Sequence, residues 1–152
     1  MIASIRDFFS QMIEPAVTAQ GAAADHALHL ATAALLLEMM RMDSSVTAAE
    51  TAAVARSLQT RFGLDAAQVD TLMALAAEEA KQATDYFQFT SLINRSFSAE
   101  QKVQVVEYLW QVAYADGNLD AHEQHFMRKI ADLLYISHAD YVAAKQRARD
   151  AA

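Results

Sequence analysis

The sequence contains no cysteine, which excludes disulfide frameworks, thiol catalysis and cysteine-ligated zinc. Only 3 glycines and 1 proline interrupt its 152 residues, so few positions need a positive φ angle and few helices need to be broken. No segment alternates apolar and polar residues between turn signals, as a half-buried strand would. Together with a hydrophobic content of 54%, these absences predict an all-α protein.

Positive charge is also scarce, because 12 lysines and arginines face 19 carboxylates and leave a net charge of -7. Nucleic acids and anionic membranes attract basic surfaces, so neither is an expected partner. Another protein, or a cation, is favoured instead. The most apolar stretch, 27–42, contains charged residues and falls short of the roughly 20 apolar residues of a membrane span. The N-terminus lacks the apolar core of a signal peptide, so we expect a cytoplasmic protein.

Hydrophobic periodicity predicts a compact bundle of about seven to eight helices in a single domain, 1–152. Proline 15 is expected to end the first helix. The second and sixth helices are apolar nearly all round, which predicts that they occupy the centre of the bundle. The predicted helices cover 2–14, 23–42, 47–62, 66–82, 86–94, 99–115, 121–134 and 138–149.

The chain contains one pattern twice, which suggests an internal repeat with units of about 24–83 and 98–149. In each unit an apolar helix ends in an aspartate, and a short turn leads to a capping residue and then a glutamate. Asp43, Thr47 and Glu50 in the first unit correspond to Asp116, Asp120 and Glu123 in the second. The pattern predicts two helix–turn–helix units that bury their apolar helices against each other.

The second unit carries a family resemblance. The stretch 108–120 reads Tyr-Leu-Trp-Gln-Val-Ala-Tyr-Ala-Asp-Gly-Asn-Leu-Asp, and it is followed by Glu123 and by Arg-Lys-Ile-Ala-Asp-Leu-Leu at 128–134. This combination resembles the signature of TerB-like tellurite-resistance proteins, and the likeness extends over roughly 26–148. The first unit departs from the motif, with Asp-Ser-Ser-Val-Thr at 43–47 where the family pattern has Asp-Gly-x-Leu-Asp.

The resemblance implies an all-helical bundle in a bacterial, cytoplasmic protein that takes part in a tellurite or metal stress response. The chain is also similar to the related domain of a DnaJ-like, membrane-anchored co-chaperone, although the His-Pro-Asp signature of a J-domain is absent. For this family, metal association and the scaffolding of a membrane-associated complex are proposed, without an established enzymatic activity. A second copy of the chain is an alternative partner.

The candidate binding site is the turn that contains Asp116, Asn118, Asp120 and Glu123. Four oxygen-bearing side chains within eight residues suit a hard cation such as Ca²⁺ or Mg²⁺, with Asp116, Asp120 and Glu123 as its ligands. The spacing does not match an EF-hand, because the glycine and the final glutamate come too early. Alternatively, Asp120 and Glu123 form a capping box, with Gly117 ending the preceding helix. The two interpretations are compatible.

Other polar residues carry weaker signals. The pairs His26 with His29 and His122 with His125 are each spaced to share a helix face, and with a carboxylate they would suit Mn²⁺ or Zn²⁺. A solvated or partner-facing surface is the favoured interpretation of both pairs. Glu38 lies within an apolar helix and needs a partner such as Arg41.

Three functions follow from these patterns: a non-enzymatic acidic binding or scaffold module, a divalent-metal sensor and a metal-dependent hydrolase. The first is the main hypothesis, and the sequence demands no cofactor.

Overall fold

The computed structural model describes residues 4–17, 21–42, 46–81, 87–116 and 121–151. Within these ranges the secondary structure is helical with short turns and contains no strand, which confirms the all-α prediction. The elements, in chain order, are α1 Ile5–Phe8, a π-helix Phe9–Ile13, α2 Glu14–Val17, α3 Ala22–Met42, α4 Ala48–Phe62, α5 Ala66–Lys81, α6 Phe87–Ser96, α7 Ala99–Asp116, α8 Ala121–Leu133 and α9 His138–Asp150.

The first three elements form one continuous N-terminal helix, 5–17. The sequence predicted that this helix would end before Pro15, and that prediction is wrong. Proline removes an N–H and its ring collides with the carbonyl four residues earlier in an α-helix. Here the preceding turn is a π-helix, in which the N–H of Glu14 donates to the carbonyl oxygen of Phe9, five residues back. The changed hydrogen-bond register allows the helix to continue through the proline to Val17.

The N-terminal helix docks through aromatic side chains. Phe8 and Phe9 are both buried, as are Ile13 and Val17 farther along. The ring of Phe9 meets Phe89 of α6 edge-on at 5.7 Å between centroids, an arrangement that aromatic quadrupoles favour. The N-terminal helix therefore packs back on its own bundle.

Helices α3 and α7 form the centre of the molecule and pack against each other. The helix α3 also contacts α2, α4, α5 and α6, and α7 contacts α8 and α9. Both helices are buried around most of their circumference, which explains why the sequence shows no clear polar face on either. This confirms the prediction that the two apolar helices lie in the middle.

Hydrogen bonds at the helix ends match the sequence signals. The hydroxyl of Ser98 accepts from the backbone N–H of Gln101 at 3.1 Å, and the Gln101 side chain accepts from the N–H of Ser98 at 2.8 Å. At the C-terminal end of α4, Gly63 adopts a φ of 63° and the N–H of Leu64 donates to the carbonyl oxygen of Gln59. This is a Schellman motif, for which glycine is the preferred residue.

The two predicted units have a similar arrangement. Helices α3, α4 and α5 in the first unit correspond in order to α7, α8 and α9 in the second, with α6 between them. The most extensive packing joins α3 to α5 and α7 to α9. Helix α8 also ends in a Schellman motif, because the N–H of Ile136 donates to Ala131. This order of helices is compatible with a repeat, which itself stays a prediction.

Candidate functional site

The acidic turn predicted from the sequence joins α7 to α8. Helix α7 ends at Asp116 and α8 begins at Ala121. Residues 117–120, and with them Asn118 and Asp120, lie outside the described residues, as do the side chains of Asp116 and Glu123. Buried apolar residues on both sides, Val112 in α7 and Met127 in α8, hold the two helices that flank the turn. The cation site at this turn stays a prediction.

The counterpart in the first unit is described in part, since Asp43 lies outside the described residues. The hydroxyl of Thr47 accepts a hydrogen bond from the N–H of Glu50 at 3.1 Å, and Oε1 of Glu50 accepts from the N–H of Thr47 at 3.1 Å. The two side chains therefore form the predicted capping box at the start of α4. In the first unit this capping role explains both residues.

In the histidine pair of α3, His29 lies in an aromatic stack. The ring of His29 lies parallel to that of Phe62 in α4, with 4.4 Å between centroids and 5° between planes. Tyr108 of α7 covers the same imidazole at 4.5 Å. Burial in this stack lowers the pKa of His29 below 6.5, with Asp25 opposing the shift and His26 adding to it. The stack explains His29 without a metal ion.

Tyr108 also connects α7 to the start of α3. Its hydroxyl donates a hydrogen bond to Oδ1 of Asp25 at 3.3 Å. Burial, and after it the neighbouring Asp25 carboxylate, raises the pKa of Tyr108 to about 12. The second histidine pair is less defined, since His125 is exposed on α8 and the side chain of His122 lies outside the described residues.

Two carboxylates are buried in the central helices. Glu38 of α3 is 2% exposed, and its predicted partner Arg41 has a side chain outside the described residues. Glu107 of α7, which the sequence interpretation missed, accepts a hydrogen bond from Nε of Arg147 in α9 at 2.5 Å. The signal that drew attention to Glu38, a carboxylate inside an apolar helix, was equally present at Glu107. Its partner lies on another helix, which the sequence spacing does not reveal.

The tryptophan of the family motif lies in the core. Trp110 is fully buried between the rings of Tyr114 and Tyr141 at 5.6 and 6.0 Å, and the ammonium of Lys145 lies 4.7 Å from its ring centroid. This geometry is a cation–π contact between α7 and α9. Nε1 of the indole finds no hydrogen-bond acceptor among the described residues. The motif tryptophan therefore has a packing role.

No group of three or more histidine, aspartate or glutamate side chains suited to a metal ion occurs in the parts of the chain that the structure describes. In the same parts, none of the helices combines the length and the apolar character that crossing a bilayer requires. These two statements do not cover residues 117–120 of the acidic turn or the side chains of Asp116 and Glu123.

Comparison with known proteins identifies the family. A family model described as tellurite resistance protein TerB matches residues 29–146, which include α4 to α8 and most of α3 and α9. No curated protein sequence and no solved structure gives a significant match. The matched region contains the capping box of Thr47 and Glu50, the acidic turn and the motif around Trp110. The chain belongs to the TerB tellurite-resistance family.

Proposed function

We propose that this chain is a non-enzymatic binding and scaffold module of a bacterial, cytoplasmic tellurite or metal stress response. The single observation that carries the proposal is the family match over 29–146. That region includes the acidic turn and the helices α7 and α8 that flank it. A net charge of -7 makes a basic protein surface the favoured partner.

The proposed contact surface is the turn from Asp116 to Glu123, which joins two helices held by the core. In the first unit, Thr47 and Glu50 engage each other in the capping box. By analogy, we assign the capping of α8 to Asp120 and Glu123, which leaves Asp116 and Asn118 for a partner. The proposal therefore assigns binding to Asp116 and Asn118, and helix capping to Asp120 and Glu123.

A second candidate function is a divalent-metal sensor, and the oxygen-rich composition of the same turn favours it. The two functions separate in a calorimetric titration with Ca²⁺, Mg²⁺, Mn²⁺ and Zn²⁺. The test variant is Asp116→Asn with Asp120→Asn, because asparagine keeps the capping ability of aspartate and removes the charge. The matched control is Asp132→Asn with Asp140→Asn, two exposed carboxylates on α8 and α9. Metal binding that only the first pair abolishes supports the sensor.

The scaffold function is tested by capturing partners from bacterial cells grown with and without tellurite. The wild-type chain and both asparagine variants serve as bait. Proteins retained by wild type and by the control pair, and lost with Asp116→Asn and Asp120→Asn, support the proposal. Identical partners for all three baits contradict the role of the turn. Turnover of phosphoester or peptide substrates by the purified chain contradicts the non-enzymatic assignment.

A further inference from the structure

A groove with a volume of about 420 Å³ lies on the surface between the N-terminal helix and the end of α6. Small-molecule sites commonly have volumes in the range of roughly 300–1,000 Å³. One wall is polar and belongs to the N-terminal helix, and the other belongs to α6. The lining residues are Arg6, Ser10 and Glu14 on the first wall and Leu92, Arg95 and Ser96 on the second.

The π-helix arranges the first wall. Phe9, Ile13 and Val17 repeat every four residues and are buried, which fixes the apolar side of the N-terminal helix. The polar residues of the groove also repeat every four residues on another side, and the middle one lies within the π-helix. A π turn changes the alignment of residues four and five apart, and such segments frequently occur at functional sites.

The second wall is equally well supported. Phe89 and Ile93 of α6 are fully buried, so the helix presents Leu92, Arg95 and Ser96 to the groove at spacings of three and four residues. Leu92 is buried and gives the groove an apolar floor. Each wall therefore contributes one arginine and one serine from a helix that the core holds in place.

The charges in the groove oppose the charge of the whole chain. The net charge is -7, yet Arg6 and Arg95 are both exposed on the groove, and neither guanidinium has an ion pair within the described residues. Glu14 is the single carboxylate in the lining. A guanidinium offers a planar fork of N–H donors that matches phosphate oxygens. The serine hydroxyls add donors of the same kind.

We propose that this groove binds a small molecule that carries a phosphate group. Arg6 and Arg95 hold the phosphate from opposite walls, with Ser10 and Ser96 as additional donors. Glu14 accepts a hydrogen bond from a hydroxyl group on the organic part of the ligand. The site is separate from the acidic turn of the proposed function, so either can fail without the other.

The test is an isothermal titration of the full chain with glycerol 3-phosphate and with inorganic phosphate. Each guanidinium would make charge-assisted hydrogen bonds to the phosphate, so Arg6→Gln or Arg95→Gln should weaken binding about tenfold or more. The double variant should bind neither probe detectably. Glu14→Gln should tighten the binding of inorganic phosphate and reduce the preference for glycerol 3-phosphate over inorganic phosphate. Circular dichroism checks that each variant keeps its helices.

The matched control is Arg56→Gln with Arg61→Gln. These arginines are exposed on α4 beside Ser57 and Thr60, where a single helix provides the lining of a more open depression. The control changes the net charge equally and should leave binding within about twofold of wild type. Equal weakening by both double variants identifies non-specific attraction and overturns the proposal. Absence of binding at millimolar concentrations of both probes also overturns it. Tighter binding of glycerol 3-phosphate supports an organic phosphate, and equal binding of the two probes overturns the recognition of an organic part by Glu14.

Discussion

Arg147 of α9 donates from Nε to Oε1 of Glu107 in α7 at 2.5 Å, and this pair joins the two most closely associated helices of the second unit. Nε2 of Gln104 donates to the other oxygen, Oε2, at 2.9 Å. The Glu107 side chain is only 12% exposed, whereas that of Arg147 is 54% exposed. Both carboxylate oxygens thus have donors, as a largely buried charge requires.

Arg147→Ala should lower the free energy of unfolding by about 1–2 kcal/mol, because it leaves a largely buried carboxylate without its charged donor. Solvent around the arginine keeps the loss below that of a fully buried pair. Unfolding in urea can be followed by the fluorescence of Trp110, the single tryptophan, which packs between the same helices. Arg149→Ala is the control, since Arg149 is exposed in the same last turn. An equal loss in both variants would indicate a helix-dipole effect instead.

Tyr135 should be replaceable by glycine with a gain in stability. Its φ is 59°, a left-handed conformation that costs non-glycine residues about 1–2 kcal/mol, and its side chain is 82% exposed. The ammonium of Lys102 lies 5.9 Å from the ring centroid, and this cation–π contact stabilises the folded chain by less than the strain costs. After allowance for the flexibility of glycine in the unfolded chain, Tyr135→Gly should raise the free energy of unfolding by about 0.5–1 kcal/mol. Thermal unfolding measures the change.

The reciprocal variant is Gly63→Ala at the corresponding position after α4. A Cβ at Gly63 would meet no atom within 4 Å, so the change tests the φ of 63° alone. We expect a loss of about 1 kcal/mol. If Tyr135→Gly destabilises the protein while Gly63→Ala does so as well, the strain at Tyr135 is not the dominant effect.

The parts of the fold that the sequence predicted are those with local causes. Capping residues, the glycine after α4 and the apolar periodicity each act within a few residues, so the helices after the first lie close to their predicted bounds. The central position of α3 and α7 followed from apolar residues on all sides. The family could also be predicted from the sequence, because the residues at 108–120 that resemble TerB-like proteins are contiguous.

The features that the sequence did not reveal depend on contacts between distant residues or on a shifted hydrogen-bond register. The sequence predicted a helix end at Pro15, yet the π turn before it allows the helix to continue. Glu107 and Arg147 are far apart in the chain, so no spacing rule connects them. Likewise, Arg6 and Arg95 line the same groove only because α6 packs on the N-terminal helix. The ligands of the acidic turn stay a prediction from composition.

Acidification should destabilise the fold through His29. Burial lowers its pKa below 6.5, so in the interval beneath 6.5 the unfolded chain binds a proton that the folded chain does not. This contribution to stability is complete above pH 6.5 and decreases as the pH falls. His29→Phe keeps a ring against Phe62 and removes the titration, so its stability should fall less than that of wild type. Urea unfolding across this pH interval measures the difference.

The control for that experiment is His125→Gln, because the His125 side chain is exposed on α8. Proton magnetic resonance of the imidazoles gives the titration midpoint of His29 directly, by comparison with His29→Phe. A midpoint at or above 6.5 would show that Asp25, which opposes the effect of burial, is the stronger influence.

Alkaline pH should reveal the bond between Tyr108 and Asp25. The pKa of Tyr108 is raised from 10.0 to about 12, chiefly by burial and then by the Asp25 carboxylate, so the neutral phenol is favoured in the folded chain. Its contribution to stability is present below pH 10.0 and is lost as the pH rises towards 12. In a spectrophotometric titration, the difference between wild type and Tyr108→Phe isolates this tyrosine. Asp25→Asn should lower the midpoint only in part, because the burial of Tyr108 remains. A midpoint at 10.0 in the wild-type chain would contradict both the burial of Tyr108 and its bond to Asp25.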